Sequence, residues 1–95
     1  MSDTLILNLD GAVLKTKEEL HSTIQWQLKL PDYYGRNLDA LWDVLSTWSK
    51  SLCIEVTHIA ALQNHLGDYA DHLLQLLNDA VQENTAVTLQ IFPEQ

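Results

Sequence analysis

One cysteine, two prolines, three glycines and five basic residues in a chain of 95 exclude a good deal. The single thiol, Cys53, closes no internal disulfide and builds no CxxC zinc site. Set in the apolar run SLCIEV, it reads as a small buried hydrophobe rather than a nucleophile. There is no glycine-rich phosphate loop and no nucleophile motif. No apolar stretch is long enough to cross a bilayer, and the opening MSDTLILNLD lacks the basic leader of a secretory signal. A reducing cytoplasm is the expected home. Lysine and arginine are outnumbered by thirteen acidic residues, giving a net charge of −8. Such a surface repels phosphate backbones and anionic lipid and suits a basic partner, the plainer alternative being mere solubility.

What is present fits one domain, 1–95, with a single modest core; apolar residues make up 46% of the chain. Leu5-Ile6-Leu7 with Leu9, ended by Asp10-Gly11, predicts a first strand buried on both faces. Thr16 and Glu19 are spaced as a capping box. Leu20, Ile24 and Leu28 then mark one face of a first helix, which Leu30-Pro31 stops. A second helix is expected from near Asn37 to near Trp48, and a second strand over Leu52–Val56. A short helical turn follows around Ile59 to His65, closed by Gly67. The longest helix runs from about Tyr69 to Gln82 with Asp68 as candidate N-cap; its apolar side is Ala70, Leu73, Leu74, Leu77, Ala80 and Val81. Asn84 is a plausible helix stop. Val87 to Phe92 is the last strand, ended by Pro93. The order β-α-α-β-α-α-β predicts an α/β fold, a small three-stranded parallel sheet packed with about four helices.

The informative stretch is LPDYYGRNLDALWDVLSTW, from Leu30 to Trp48. On a helical wheel Leu38, Leu41 and Leu45 form the core stripe, and Trp48 falls on that side. Asp39 and Asp43 fall together about a third of a turn away, with Ser46 nearby and Trp42 at the border. Like charges at i, i+4 repel slightly, so Asp43 gains nothing within its own helix. A docked arginine or lysine cluster would supply the missing partner. Aromatic anchors beside such charges, here Tyr33, Tyr34 and Trp42, have the composition of an interface hot spot. Two carboxylates one turn apart could also act as an acid/base pair, but that needs a dry, pKa-raising environment, which an exposed ridge does not offer. His58, His65 and His72, with Asp68, are weighed as metal ligands and read instead as surface histidines, because Gly67 separates two helices. Trp26 points away from the leucine side of its helix.

At these residues the chain resembles the barstar family of intracellular ribonuclease inhibitors. YYGxNLDALWD carries the resemblance most specifically. It extends through Leu20-His21 upstream and LLQLLNDA downstream to nearly the whole chain. It implies the same three-stranded fold, no enzymatic activity and no cofactor. It implies that the second helix and the loop before it enter the active site of a basic, secreted, barnase-like ribonuclease, 1:1, as a phosphate mimic. Asp43 would fill the phosphate-binding centre and Asp39 would meet an adjacent arginine or loop amides. Tyr33 would lie over the catalytic base. Gly35, Asn37, Trp42, Ser46, Thr47 and Trp48 would shape the contact, and Asp79 would add an outlying charge. The chain departs from barstar at Arg36, where barstar is acidic. It departs also at Asp79, shorter than a glutamate, at Thr47 in place of a glycine, and at Val44 and Thr85 in place of cysteines. Those departures leave room for a barstar-fold module with a non-nuclease basic partner.

Overall fold

The computed structural model describes residues 4–92. Its elements are β1 (Leu5–Asp10), α1 (Lys17–Leu28), α2 (Leu38–Ser46), β2 (Leu52–Thr57), α3 (Ile59–Leu66), α4 (Asp68–Glu83) and β3 (Val87–Ile91). The three strands form one parallel sheet in the order β1-β2-β3, with Leu7 opposite Ile54 and Ile54 opposite Leu89. The expected α/β architecture is therefore the observed one. Pro93, expected to end the last strand, lies outside the described residues.

The expectation that β1 is buried on both faces is not met. Two crossovers of one hand that advance in the same direction carry their helices to the same side of a sheet. The burial follows that rule. Leu7, Leu9, Leu52, Ile54, Val56 and Val87 are buried on the helical side, whereas Ile6, Asn8, Thr88 and Gln90 are exposed on the other. Cys53 shares that outer parity and is half-buried, a correction to its reading as a core residue. The core is completed by Leu14, Leu20, Ile24, Leu28, Leu41, Leu45, Leu62, Leu73 and Leu77.

An edge strand presents unpaired backbone groups that invite another chain. Leu5 N–H and Gly11 N–H donate across to the β2 side, so the even-numbered residues of β1 turn theirs outward. Gln27 on α1 covers one of them with both ends of its amide. Its Oε1 accepts from Asn8 N–H at 2.8 Å and its Nε2 donates to Asn8 O at 3.0 Å.

The helix ends follow local chemistry. Thr16 caps α1, accepting from Glu19 N–H at 3.1 Å, while Glu19 Oε1 accepts from Lys15 N–H. The N-cap of α4 is Gly67 rather than Asp68. Gly67 takes φ +58, a conformation open to glycine, and its carbonyl accepts from Ala70 N–H. Asp68 becomes the first helical residue, where its charge suits the positive end of the helix dipole. Leu74 and Val81, expected in the apolar stripe, are half-buried.

Asn84 links the end of α4 to the end of α2. Its Nδ2 donates to Leu45 O at 2.9 Å and to Trp48 O at 2.7 Å, and its Oδ1 accepts from Ala86 N–H at 3.0 Å. Asn84→Ala removes all three bonds and should lower stability by about 1–3 kcal/mol, read from urea unfolding. An unchanged midpoint would show that water replaces them.

Candidate functional site

The loop 29–37 turns the chain from α1 into α2, and its conformation is set by side chains rather than by glycine. Lys29 and Arg36 both take positive φ, 54° and 55°. Arg36 is held by Gln25 of α1, whose Oε1 accepts from Arg36 Nε at 3.1 Å and from a terminal guanidinium nitrogen at 2.9 Å. Gln25 Nε2 in turn donates to Pro31 O at 2.9 Å. Asn37 then caps α2, accepting from Ala40 N–H at 2.7 Å. A Cβ on Gly35 would come within 3.1 Å of Ala40 Cβ, so the loop lies close over the first turn of the helix.

Beneath this loop is a cluster with no local sequence signal. His21 is buried, and both its ring nitrogens meet phenols. Nδ1 lies 2.9 Å from Tyr34 Oη, and Nε2 lies 2.6 Å from Tyr69 Oη. A neutral imidazole satisfies both, donating to one phenol and accepting from the other. Burial first, and Arg36 second, hold the His21 pKa below its usual 6.5. Burial, with Tyr69 beside it, pushes Tyr34 up to about 12. Lys17 Nζ sits 4.6 Å from the centre of the Tyr69 ring. Because the folded state resists protonating His21, the unfolded state binds more protons between the lowered pKa and 6.5. This contribution to stability is complete above 6.5 and is lost as pH falls through that window. Urea midpoints measured from about pH 8 to about pH 5 should fall, and His21→Gln should flatten the slope. An identical slope in the variant would remove His21 as its source.

The α2 ridge follows this loop in the chain. Asp39 and Asp43 are exposed, and neither carboxylate has a hydrogen-bond or ion-pair partner among the described residues. Tyr33 is 89% exposed beside Tyr34, which is buried. Trp42 is half-buried against the core. Of the expected core stripe, Leu41 and Leu45 are fully buried, while Leu38 is half-buried. Leu38, Asp39 and Trp42 line one wall of a groove of about 330 Å³, whose other wall is His72, Gln75, Leu76 and Asp79 of α4. Gln75 Nε2 donates to Asp79 Oδ1 at 3.0 Å. The groove therefore has an apolar floor and acidic rims, suited to a cation on an aliphatic stem.

The structure brings Asp39, Trp42 and Asp79 together around that groove and sets Asp43 one turn along the same helix. Several of the other expected contact residues also shape the local backbone. The helix ends at Ser46, short of Trp48, because Ser46 Oγ and Thr47 Oγ1 both bond the carbonyl of Asp43, at 3.4 and 2.7 Å. Trp48 is half-buried beyond the helix, and its indole N–H is buried without a hydrogen-bond partner among the described residues. Arg36 is turned onto α1 instead of pairing with the ridge. His72 on the groove wall was missed as a site residue: only the α2–α4 packing places it there.

The three spaced histidines do not meet. His58 Nδ1 lies 2.8 Å from Asp10 Oδ1, His65 Nδ1 donates to Gly11 O, and His72 belongs to the groove. No group of three or more His, Cys, Asp or Glu among the described residues is placed to hold a metal. The exposure of Asp39 and Asp43 denies them the dry surroundings that acid–base chemistry requires.

Residues 4–94 match the family model described as "Barstar (barnase inhibitor)". A Bacillus subtilis (strain 168) protein named "Putative ribonuclease inhibitor YrdF" is 40% identical over 76 residues, which cover 79% of this chain and 84% of that one.

Proposed function

Since the chain belongs to the barstar family, we propose that it inhibits a basic, barnase-type ribonuclease by inserting the α2 ridge and the preceding loop into the active site. The carrying observation is the pair of exposed carboxylates, Asp39 and Asp43, one on either side of Trp42 along α2 and without a hydrogen-bond or ion-pair partner among the described residues. Asp43 stands in for an RNA phosphate. Asp39 and Asp79 hold a neighbouring cation whose aliphatic stem lies on Trp42, Leu38 and Leu76. Tyr33 covers the mouth of the catalytic site, and Gly35, Asn37, Ser46, Thr47 and Trp48 shape the surface around it. Blockade is steric and electrostatic and uses no cofactor.

The inhibitor acts inside the cell as an immunity protein against a secreted nuclease, one copy to each enzyme. No helix among the described residues is long and apolar enough to cross a membrane, which suits such a role. A net charge of −8 meeting a basic active site should speed association and make its rate fall with salt. The test is a titration of the purified chain into a basic ribonuclease from the same organism. RNA cleavage should fall in proportion to added inhibitor and stop at equimolar protein. A stable complex that still cleaves RNA at full rate would overturn the proposal.

A further inference from the structure

We propose that a second groove, between the outer face of α1, the free edge of β1 and the loop 29–36, binds an extended acidic peptide segment of another protein. The groove has a volume of about 830 Å³, and Ile6, Trp26, Lys29, Asp32 and Arg36 are among its lining residues. No residue of α2 lines it, so it lies off the α2 ridge and shares only the loop 29–36 with the ribonuclease-binding surface proposed above.

Its charge runs against that of the molecule. Lys29 also lines an adjoining groove with Lys50, so three of the five basic residues gather at this end of a chain whose net charge is −8. Arg36 is the organised cation. The neutral amide of Gln25 fixes its guanidinium, and the Gln25–Pro31 bond fixes the amide. No carboxylate among the described residues pairs with Arg36, although Asp32 lines the same groove. A guanidinium already held in place, with donors left over, loses little freedom on taking up a carboxylate.

The apolar part is also unoccupied: Trp26 is 82% exposed and Ile6 53%. The backbone adds a third element. The N–H and C=O of Ile6 face the same open edge as those of Asn8, but Gln27 covers only Asn8. An extended peptide can take the Ile6 pair, set an apolar side chain against Trp26 and turn carboxylates toward Arg36 and Lys29. RNA fits less well. A net charge of −8 repels a long polyanion. The Gln25 and Gln27 amides that could read bases are bonded to Pro31 and Asn8.

A random heptapeptide display library, depleted on the Trp26→Ala/Arg36→Gln double variant and then panned on the wild-type chain, tests this. Recovered peptides should carry two or more carboxylates around an aromatic or β-branched residue. Synthesised singly, they should bind Trp26→Ala or Lys29→Glu about tenfold more weakly than wild type. Circular dichroism identifies any variant that fails to fold; Trp26→Ala, changing an exposed ring, should keep the wild-type spectrum. Failure to enrich over the double variant overturns the proposal, as does a neutral or basic consensus. Binding of a labelled octauridylate that the same substitutions abolish would assign the groove to RNA and overturn it equally.

Discussion

Asp43→Ala should weaken inhibition of the cognate ribonuclease at least about a hundredfold. The reason lies in the enzyme as much as in the inhibitor. In the proposed complex Asp43 is the counter-ion for a cationic centre that has lost its water. Removing one partner of a buried ion pair leaves the other uncompensated, at a cost of about 3–5 kcal/mol, and each 1.4 kcal/mol is tenfold in affinity. Asp43→Asn, which keeps the shape and removes the charge, should be nearly as damaging if charge is what matters. The free protein should not suffer. Asp43 is exposed and its carboxylate has no partner among the described residues, and its repulsion of Asp39 one turn earlier is relieved by the change. Urea unfolding of the variant should therefore match or slightly exceed wild type. An inhibition constant equal to wild type would remove Asp43 from the centre of the interface.

Gly11→Ala should be the most damaging change of a single methyl group, at about 3 kcal/mol or more of stability. Gly11 is buried where β1 hands over to the loop. Its N–H donates to Thr57 O at 2.8 Å, and its carbonyl accepts from His65 Nδ1 at 3.0 Å. A Cβ there would run into the carbonyl of His58 and approach both Cβ and the backbone nitrogen of Leu62 at 2.7 Å. Two of these neighbours are backbone atoms of the α3 N-terminus, which cannot rotate aside. His58 is pinned as well, at φ +52 with Nδ1 2.8 Å from Asp10 Oδ1. The strand or α3 must shift as a body. Small domains are stable by about 5–15 kcal/mol in total, so the loss should be plain in a urea midpoint. A midpoint within error of wild type would show that α3 moves freely against β1.

Much of this was legible in the residues, where one element's own pattern decides the outcome. Thr16 and Glu19 marked the start of α1, Asn37 that of α2, and the leucine spacings gave the buried faces. The strand order of elements gave the parallel sheet. What failed were decisions taken between elements. Leu5 to Leu9 cannot say which face a distant helix covers, so Ile6 and Asn8 came out exposed. Cys53 sits among apolar neighbours, yet its parity turns it outward. Gly67 displaced Asp68 as cap because the turn between α3 and α4 needed a positive φ. The His21–Tyr34–Tyr69 cluster joins residues 13 and 48 positions apart, which no local pattern connects. For the ridge, the wheel separated Asp39 and Asp43 from the core, and the family resemblance supplied Asp79. The groove that brings Asp39 and Asp79 to one place exists only once α2 lies on α4.

The Asn84 bonds bear on when the protein becomes useful during its synthesis. The ridge is encoded early, but the carbonyls that close its helix are held by a side chain nearly forty residues later. A nascent chain that has displayed Asp39 and Asp43 still lacks the wall that positions them. Under the proposed function, inhibition would then begin only when residue 84 has left the ribosome and folded back, so a stalled translation product would give none.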